Sequence, residues 1–439
     1  MLNAVNKIAI EFLELSKQKP VRIISHHDTD GITAAAIMAK ALKRIDKKFS
    51  IKIVKGLEEE NIKKELERHE REIIFFTDLA SGSLDYFKEL KAPIFILDHH
   101  QIDQTKLNSN IKIINPHLFG EEEVSGAGIA YLFAKALSQN NKDLSNLAII
   151  GMVGDRLDGN ISKIYNQIIN DAEDLTIKKS LMVYPATRPI KRTLEYCTSV
   201  YIPGVTGSPL GVLDMLRETN IPSEKSLFEL SDEEVSRLIT AVLIKRADYK
   251  RKEEIIGNLY LLKFFNKKED ARELSTMINA CSRLGCSDIA LSFCLENENA
   301  KTQAEDLYTQ YKQQLISSLN TMEKMDKIKG NGFVIMNAKE TIKDTIIGTV
   351  TSILSSSLNY EEGTVLIGMA YNQDKIKVSA RIVGKEGRNI KELLEKVTIG
   401  FHGEVGGHNK AAGCLIKKDQ EQDFIQALQK SLEIEVMKV

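Results

Sequence analysis

Cysteine is scarce and irregularly spaced: the 439-residue chain has five (Cys197, Cys281, Cys286, Cys294, Cys414), an odd number without any C-x-x-C pair. That pattern argues against a disulfide framework and a zinc knuckle and leaves reduced thiols. Proline is sparse, eight in all. With no tandem repeat and no low-complexity tract, the chain reads as folded almost throughout. No uninterrupted apolar run approaches the ~18 residues of a membrane span. Residues 1–17 mix Ile, Leu and Phe with Lys7, Glu11, Glu14 and Lys17. This suits an amphipathic helix and not a cleavable signal, so a cytoplasmic location is expected. Net charge is missing too, because 60 Lys and Arg face 61 Asp and Glu, leaving -1. Any polyanion must therefore be met by a local patch.

What is present is core. With 43% apolar residues and roughly 100 to 200 residues per domain, two to three domains are expected. From Val21 to about Gly154, strand candidates alternate with helical patterns, the sign of a largely parallel α/β sheet. The strands expected are Val21 to Ile24, Ile51 to Val54, Ile73 to Thr77, Pro93 to Leu97 and Ile111 to Ile114. Beyond Gly159 helical segments dominate, interrupted by the loop at 201–207, and Ser231 to Lys250 and Lys301 to about Lys327 show helical periodicity. From about Gly330 strands return: Phe333-Val-Ile-Met, Thr345-Ile-Ile-Gly, Thr364-Val-Leu-Ile-Gly and Lys375 to Ile382. A second α/β domain is the reading.

The stretch Val21 to Gly31, Val-Arg-Ile-Ile-Ser-His-His-Asp-Thr-Asp-Gly, ends an apolar run in two His and two Asp. Charges and imidazoles gathered at a strand end need a partner to offset desolvation, and a metal is the most economical one. Asp78 follows Ile-Ile-Phe-Phe-Thr, Asp98-His99-His100 follows Pro-Ile-Phe-Ile-Leu, and Gly154-Asp155-Arg156-Leu157-Asp158 ends an apolar segment whose length fits a strand or a buried helix. Asp28, Asp30, Asp78 and Asp155 with His26 and His99 form a hard-donor set that favours Mn²⁺ or Mg²⁺ over a soft-ligand metal, Mn²⁺ being the first expectation. Four carboxylates would be neutralised by two divalent ions, with Asp78, on a central strand, as the bridge. Such a pair, about 3.5 to 4 Å apart, activates water and stabilises the leaving oxygen of an in-line phosphoryl displacement. His26 and His27 cannot both point the same way, and a structural role is expected for His27.

The set His-x-Asp-x-Asp-Gly (His26 to Gly31), Thr77-Asp78, Asp98-His99-His100 and Gly154-Asp-x-x-Asp158 resembles the DHH phosphoesterase superfamily. Gly406-Gly407-His408-Asn-Lys-Ala411-Ala412-Gly413 resembles the signature of its companion substrate-binding domain, DHHA1. The resemblance covers about residues 18–200 and 330–439, and the length with its helical insert is most similar to archaeal RecJ-like single-strand nucleases. It implies an α/β fold: a parallel-sheet DHH metal domain at 1–207, a helical insertion at 208–328 and a smaller DHHA1-type α/β domain at 329–439.

On matching positions it implies that Asp28, Asp30, Asp78, His99 and Asp155 hold two metals, that His100 contacts the scissile phosphate, and that Asp98 orients the histidines. Several superfamily branches start the first motif with a His four residues before the first Asp, where this chain has Ile24; His26 stands in, as in the RecJ-like branch. Gly406, Gly407 and His408 would meet a substrate phosphate, the alternative being a glycine turn with a solvated His. Arg381, at a Ser-x-Arg position in the basic stretch Lys375 to Arg388, would contact nucleic-acid backbone. Within that stretch Gly384-Lys-Glu-Gly387 imitates the Gly-x-x-Gly clamp of KH domains. Ser125-Gly-Ala-Gly128 opens an apolar helix and either holds a phosphate at its N-terminus or is a plain N-cap. Arg188, Lys191 and Arg192 form a second basic patch that guides a strand or faces solvent.

The function expected is a metal-dependent exonuclease of single-stranded DNA or RNA in replication or repair, with partners such as GINS or a helicase. The alternatives are a short-oligonucleotide or small-substrate phosphodiesterase and a non-catalytic replication scaffold.

Overall fold

The computed structural model describes residues 1–69, 71–87, 92–107, 110–197, 200, 202–246, 255–356, 360–384, 386–401, 403 and 405–436. The expectations for Tyr201, for Lys385 and for the end of the 231–250 helix lie outside them. Residues 1–197 and 207–308 form one compact unit, and 198–206 with 309–439 form the other. Among the described residues no helix is long and apolar enough to cross a membrane.

Five strands open the first unit: β1 (Val21–His26), β2 (Phe49–Val54), β3 (Ile73–Thr77), β4 (Ile94–Leu97) and β5 (Ile111–Ile114). All pair in parallel, in the order β2-β1-β3-β4-β5, so β3 is central. Alternation sorts β3 between two cores. Phe75 stacks on Phe95 at 4.9 Å and meets Phe12 of helix α1 (Leu2–Leu15) at 5.2 Å. Phe76 turns the other way to Ile62 and Leu66 of helix α3 (Glu59–Arg68) and to Phe87.

Helix α2 (Thr29–Arg44) is buried almost along its whole length. Its run of Ala34, Ala35 and Ala36 lets it pack against α4 (Gly126–Leu137) and α5 (Ser145–Gly154). The segment before Asp155 is thus a helix, apolar on all sides because it is enclosed, which length and composition do not separate from a strand.

The middle of the chain is mostly helical, with helices Pro209–Glu218, Asp232–Arg246, Ala271–Arg283 and Ser287–Cys294. It also carries a small antiparallel sheet that periodicity does not reveal, of β6 (Thr176–Leu181), β7 (Ile256–Phe264) and β8 (Lys267–Asp270). β7 turns into β8 through Phe265 (φ +47°) and Asn266 (φ +56°), a two-residue turn with both φ positive and without the usual glycine.

In the second unit β9 (Ile328–Gly330), β10 (Phe333–Asn337), β11 (Val365–Asn372), β12 (Lys375–Ile382), β13 (Val405–His408) and β14 (Ala411–Lys417) form one sheet ordered β13-β14-β12-β11-β10-β9. Thr345-Ile-Ile-Gly, expected as a strand, lies instead in helix Asp344–Ser355. Ile346, Ile347, Val350, Thr351 and Leu354 share its buried face, a helical period that a four-residue window misses. The Gly-x-x-Gly pattern is also structural: a Cβ on Gly384 would come 2.6 Å from Glu362 Oε1, and one on Gly387 2.1 Å from Ile382 Cδ1. Arg388 donates to the Leu432 carbonyl at 2.7 Å.

Candidate metal centre

The strand order 2-1-3-4-5 reverses direction between β1 and β3, and open parallel sheets bind ligands outside the carboxyl ends of strands at such a point. His26 ends β1, Asp28 and Asp30 open α2, Asp78 follows β3 and Asp98 to His100 follow β4. Asp155 arrives from elsewhere, as the residue closing α5.

Each acid is set by its own local structure. Asp28 caps α2, its Oδ1 accepting from Gly31 N at 3.0 Å, while Oδ2 lies 3.0 Å from His26 Nδ1. Asp30 is fully buried and accepts from the Gly126 amide and, at 3.0 Å, from Ala127 N. The α4 N-terminus therefore stabilises a carboxylate of the chain itself. Ser125 is the plain cap of that helix, buried, accepting from Gly128 N at 3.2 Å and from the Tyr165 hydroxyl at 2.5 Å. With those amides engaged and Ser125 enclosed, the expectation that this turn holds a substrate phosphate is not met.

Asp78 has φ +60° and is 1% exposed, and among the described residues neither carboxylate oxygen has a hydrogen-bond donor. His26 Nδ1 lies 3.4 Å from Oδ2 and His99 Nε2 lies 3.3 Å from Oδ1. His99 Nε2 is also 3.1 Å from Asp155 Oδ2. Two donor groups result, each with its atoms within 4.8 Å: Asp30, Asp78, His99 and Asp155, and His26, Asp28 and Asp78. Asp78 belongs to both. His100 joins Asp78 and His99 in a third grouping; His27 enters none among the described residues.

The electrostatics register concentrated negative charge. Burial opposes charging of His26, yet the carboxylates of Asp28 and Asp78 beside it push its pKa up to about 11. His99 is driven up to about 12, against burial, by Asp155 and Asp78. Burial and the Asp28 charge lift Asp78 to about 6, and burial with the Asp155 and Asp78 charges raises Asp30. His27, by contrast, falls to about 4 through burial and the neighbouring His26. Asp98 is fully buried and accepts from Ser81 N at 2.8 Å, His99 N at 2.8 Å and His100 Nδ1 at 2.7 Å. Burial would raise its pKa, but the His100 bond holds it well below the carboxylate range. The His100 side chain is half exposed.

Close packing leaves the donors little freedom. A Cβ on Gly126 would come 2.6 Å from Asp78 Cβ, and one on Gly151 2.5 Å from Asp30 Oδ1. Hard oxygen donors, two imidazoles and a buried carboxylate without hydrogen-bond partners fit a divalent cation.

In the second unit, described by itself, Gly406, Gly407 and His408 lie exposed on edge strand β13. Gly407 (φ +125°) must be glycine, since a Cβ would meet the Ala411 carbonyl at 2.4 Å, whereas nothing lies within 4 Å at Gly406. Arg381 is half-buried, its Nε donating to Ser352 Oγ at 2.8 Å and Nη1 to the Ala380 carbonyl at 2.8 Å.

Known families match the same parts of the chain: the DHH family N-terminal domain at 20–154, the DHH-CID domain at 184–258 and the DHHA1 domain at 330–433. An uncharacterized protein of Methanocaldococcus jannaschii is 30% identical over 419 residues, 92% of this chain and 91% of that one. The chain belongs to the DHH/DHHA1 superfamily. This DHH/DHHA1 protein is RecJ-like, a phosphoester hydrolase, and its acid cluster is a candidate divalent-metal site.

The single-stranded-DNA-specific exonuclease RecJ of Bacillus subtilis is 22% identical over 430 residues, 93% of this chain but 45% of that relative, so the DHH/DHHA1 chain spans under half of it. In fold it is similar to Thermus thermophilus RecJ in complex with Mn²⁺ (17% identity, TM-score 0.62, 98% of this chain and 55% of that one). It is likewise similar to CDC45 of Entamoeba histolytica (12% identity, TM-score 0.68, 98% and 99%).

Sequence reasoning missed Tyr165, Ser275 and Asn279, which support the site from helices distant in sequence. Asn279 meets Thr29 across 250 residues, and no local pattern reports such a contact.

Proposed function

We propose that the chain is a metal-dependent exonuclease of single-stranded DNA or RNA, acting in replication or repair. The observation that carries the reading is Asp78, a buried carboxylate that has no hydrogen-bond donor among the described residues and is shared by the Asp30–His99–Asp155 and His26–Asp28 donor groups. His26, Asp28 and Asp78 would hold one ion, and Asp30, Asp78, His99 and Asp155 a second, with Mn²⁺ ahead of Mg²⁺. Two divalent ions supply an activated water and charge for the leaving oxygen.

The chain's own groups do the rest. Asp98 accepts a hydrogen bond from His100 Nδ1 and raises the His100 pKa, which favours the imidazolium, a donor at both nitrogens. The Nε2 of this half-exposed side chain then meets a phosphate oxygen. In the second unit Gly406 leaves room for a nucleotide to approach the backbone, His408 offers a ring donor and Arg381 a charge to the phosphodiester chain. The region 208–328 contains none of the metal donors and is the surface we assign to a partner such as GINS or a helicase. The fold shared with CDC45 favours a second reading, a replication scaffold without catalysis; the full donor set opposes it.

A chain-length series decides among these. With Mn²⁺, end-labelled single strands of DNA and RNA should be degraded, and rates should fall for di- to pentanucleotides. His408→Ala should raise KM about tenfold with kcat retained, the signature of lost uniform binding. Preference for the shortest substrates would indicate a small-substrate phosphodiesterase, and no hydrolysis at any length would indicate the scaffold.

A further inference from the structure

Helix Ala271–Arg283 lies behind the metal centre and has no part in the chemistry above. Its start is fixed by Asp270, a fully buried N-cap that accepts from Arg272 N at 2.9 Å and from Ala186 N at 2.8 Å. From there the helix reaches both loops that carry metal donors. Arg272 pairs with the carboxylate of Asp158, three residues beyond Asp155, with both side chains one-tenth exposed. The Tyr260 hydroxyl donates to the Asp158 carbonyl at 3.4 Å. The Ser275 carbonyl accepts from Thr29 Oγ1 at 2.8 Å, and Asn279 Oδ1 accepts from Thr29 N at 3.1 Å. Thr29 stands between Asp28 and Asp30. Positions 272, 275 and 279 follow the i, i+3, i+7 spacing of one helix face.

Two physical arguments give these contacts a purpose. Thr29 N–H is the first amide of α2 and has no partner inside its own helix. Asp28 already commits Oδ1 to Gly31 N; with Asn279 serving the Thr29 amide, Asp28 Oδ2 stays beside His26. Secondly, Asp28, Asp30 and Asp155 repel one another whenever the cation is absent. A helix bonded to both loops resists their separation.

We propose that helix Ala271–Arg283 is a clamp of the metal centre, in which Asn279 and Ser275 hold the Asp28–Asp30 loop and Arg272 holds the Asp155 loop. Asn279 and Arg272 are positioning residues. The proposal rests on the reading of the acid cluster as a divalent-metal site, since the clamp's effect is exerted on metal affinity.

The test is calorimetric titration of the full chain with Mn²⁺ after chelator treatment, alongside thermal unfolding in chelator. Asn279→Ala, which removes the acceptor of the Thr29 amide, and Thr29→Val, which removes the hydroxyl bonded to the Ser275 carbonyl, should each weaken Mn²⁺ binding by about 10- to 100-fold, as loss of outer-sphere partners does. Asn279→Asp keeps the acceptor and should bind within about threefold of wild type. Mn²⁺ affinity unchanged in Asn279→Ala and Thr29→Val, even with a lowered unfolding midpoint, would overturn the clamp and leave the helix a packing element. Asn279→Asp binding as weakly as Asn279→Ala would overturn it too. A wild-type chain that binds no Mn²⁺ would instead overturn the metal reading itself.

Discussion

Asp78 and Asp30 show how a buried carboxylate is kept where burial alone would expel its charge. Asp30 has two helix amides of α4 for support, whereas Asp78 has the imidazoles of His26 and His99 beside it. The glycines around them fix that arrangement. Gly151→Ala would set a Cβ 2.5 Å from both Asp30 Oδ1 and Ala127 Cβ, and such overpacking typically costs about 1–3 kcal/mol. Because the displaced carboxylate is one of the proposed metal donors, Mn²⁺ affinity should fall at least about tenfold. Gly159→Ala, where nothing lies within 4 Å, is the control and should bind as wild type. Equal affinity in the two variants would mean that Asp30 is not a ligand.

At this scale the sequence was informative where chemistry repeats in short motifs. His26, Asp28, Asp30, Asp78, His99 and Asp155 are all brought into the two donor groups. At Ser125 it left two readings open, since a helix-opening Ser-Gly-Ala-Gly looks alike whether its amides face a ligand or the carboxylate of Asp30.

Among the elements, the five parallel strands could be read because each is a short apolar run bounded by polar residues. Thr345-Ile-Ile-Gly has the same local look, yet only the longer span to Leu354 discloses a helical face. β7 and β8 were hidden by a turn of Phe265 and Asn266 that lacks glycine. Away from the active centre, α3 is tied to β1 and β2 by Glu65, 5% exposed, which accepts from Arg22 Nε at 2.9 Å and Lys52 Nζ at 2.6 Å.

Burial pushes the Glu65 pKa up, but Lys52 and Arg22 outweigh it and the net shift is downward. A depressed folded pKa contributes stability above the unfolded value of about 4.3 and loses it as pH falls through the folded one. Glu65→Gln should therefore destabilise the protein by about 1.5–3 kcal/mol at neutral pH, the range for hydrogen bonds to charged groups. In urea unfolding, the gap to wild type should close below about pH 4. A gap independent of pH would show that packing, not charge, is what Glu65 contributes.

For the molecule as a whole, two motif groups some 300 residues apart in sequence fall in two separate units, each organised around its own sheet. The first holds the donors at a switch point of a parallel sheet; the second exposes Gly406 and His408 on an edge strand. Long-range support such as Asn279 on Thr29 was invisible in sequence because it depends on how the middle region folds back.

The most direct test of the central claim is digestion of an end-labelled single strand by wild type and Asp78→Asn, each with Mn²⁺, Mg²⁺ or chelator. A metal-dependent ladder from wild type, lowered more than about 100-fold in Asp78→Asn, beyond what loss of an outer-sphere partner produces, is the predicted result. Cleavage that persists in chelator, or that Asp78→Asn retains at the wild-type rate, would contradict the account.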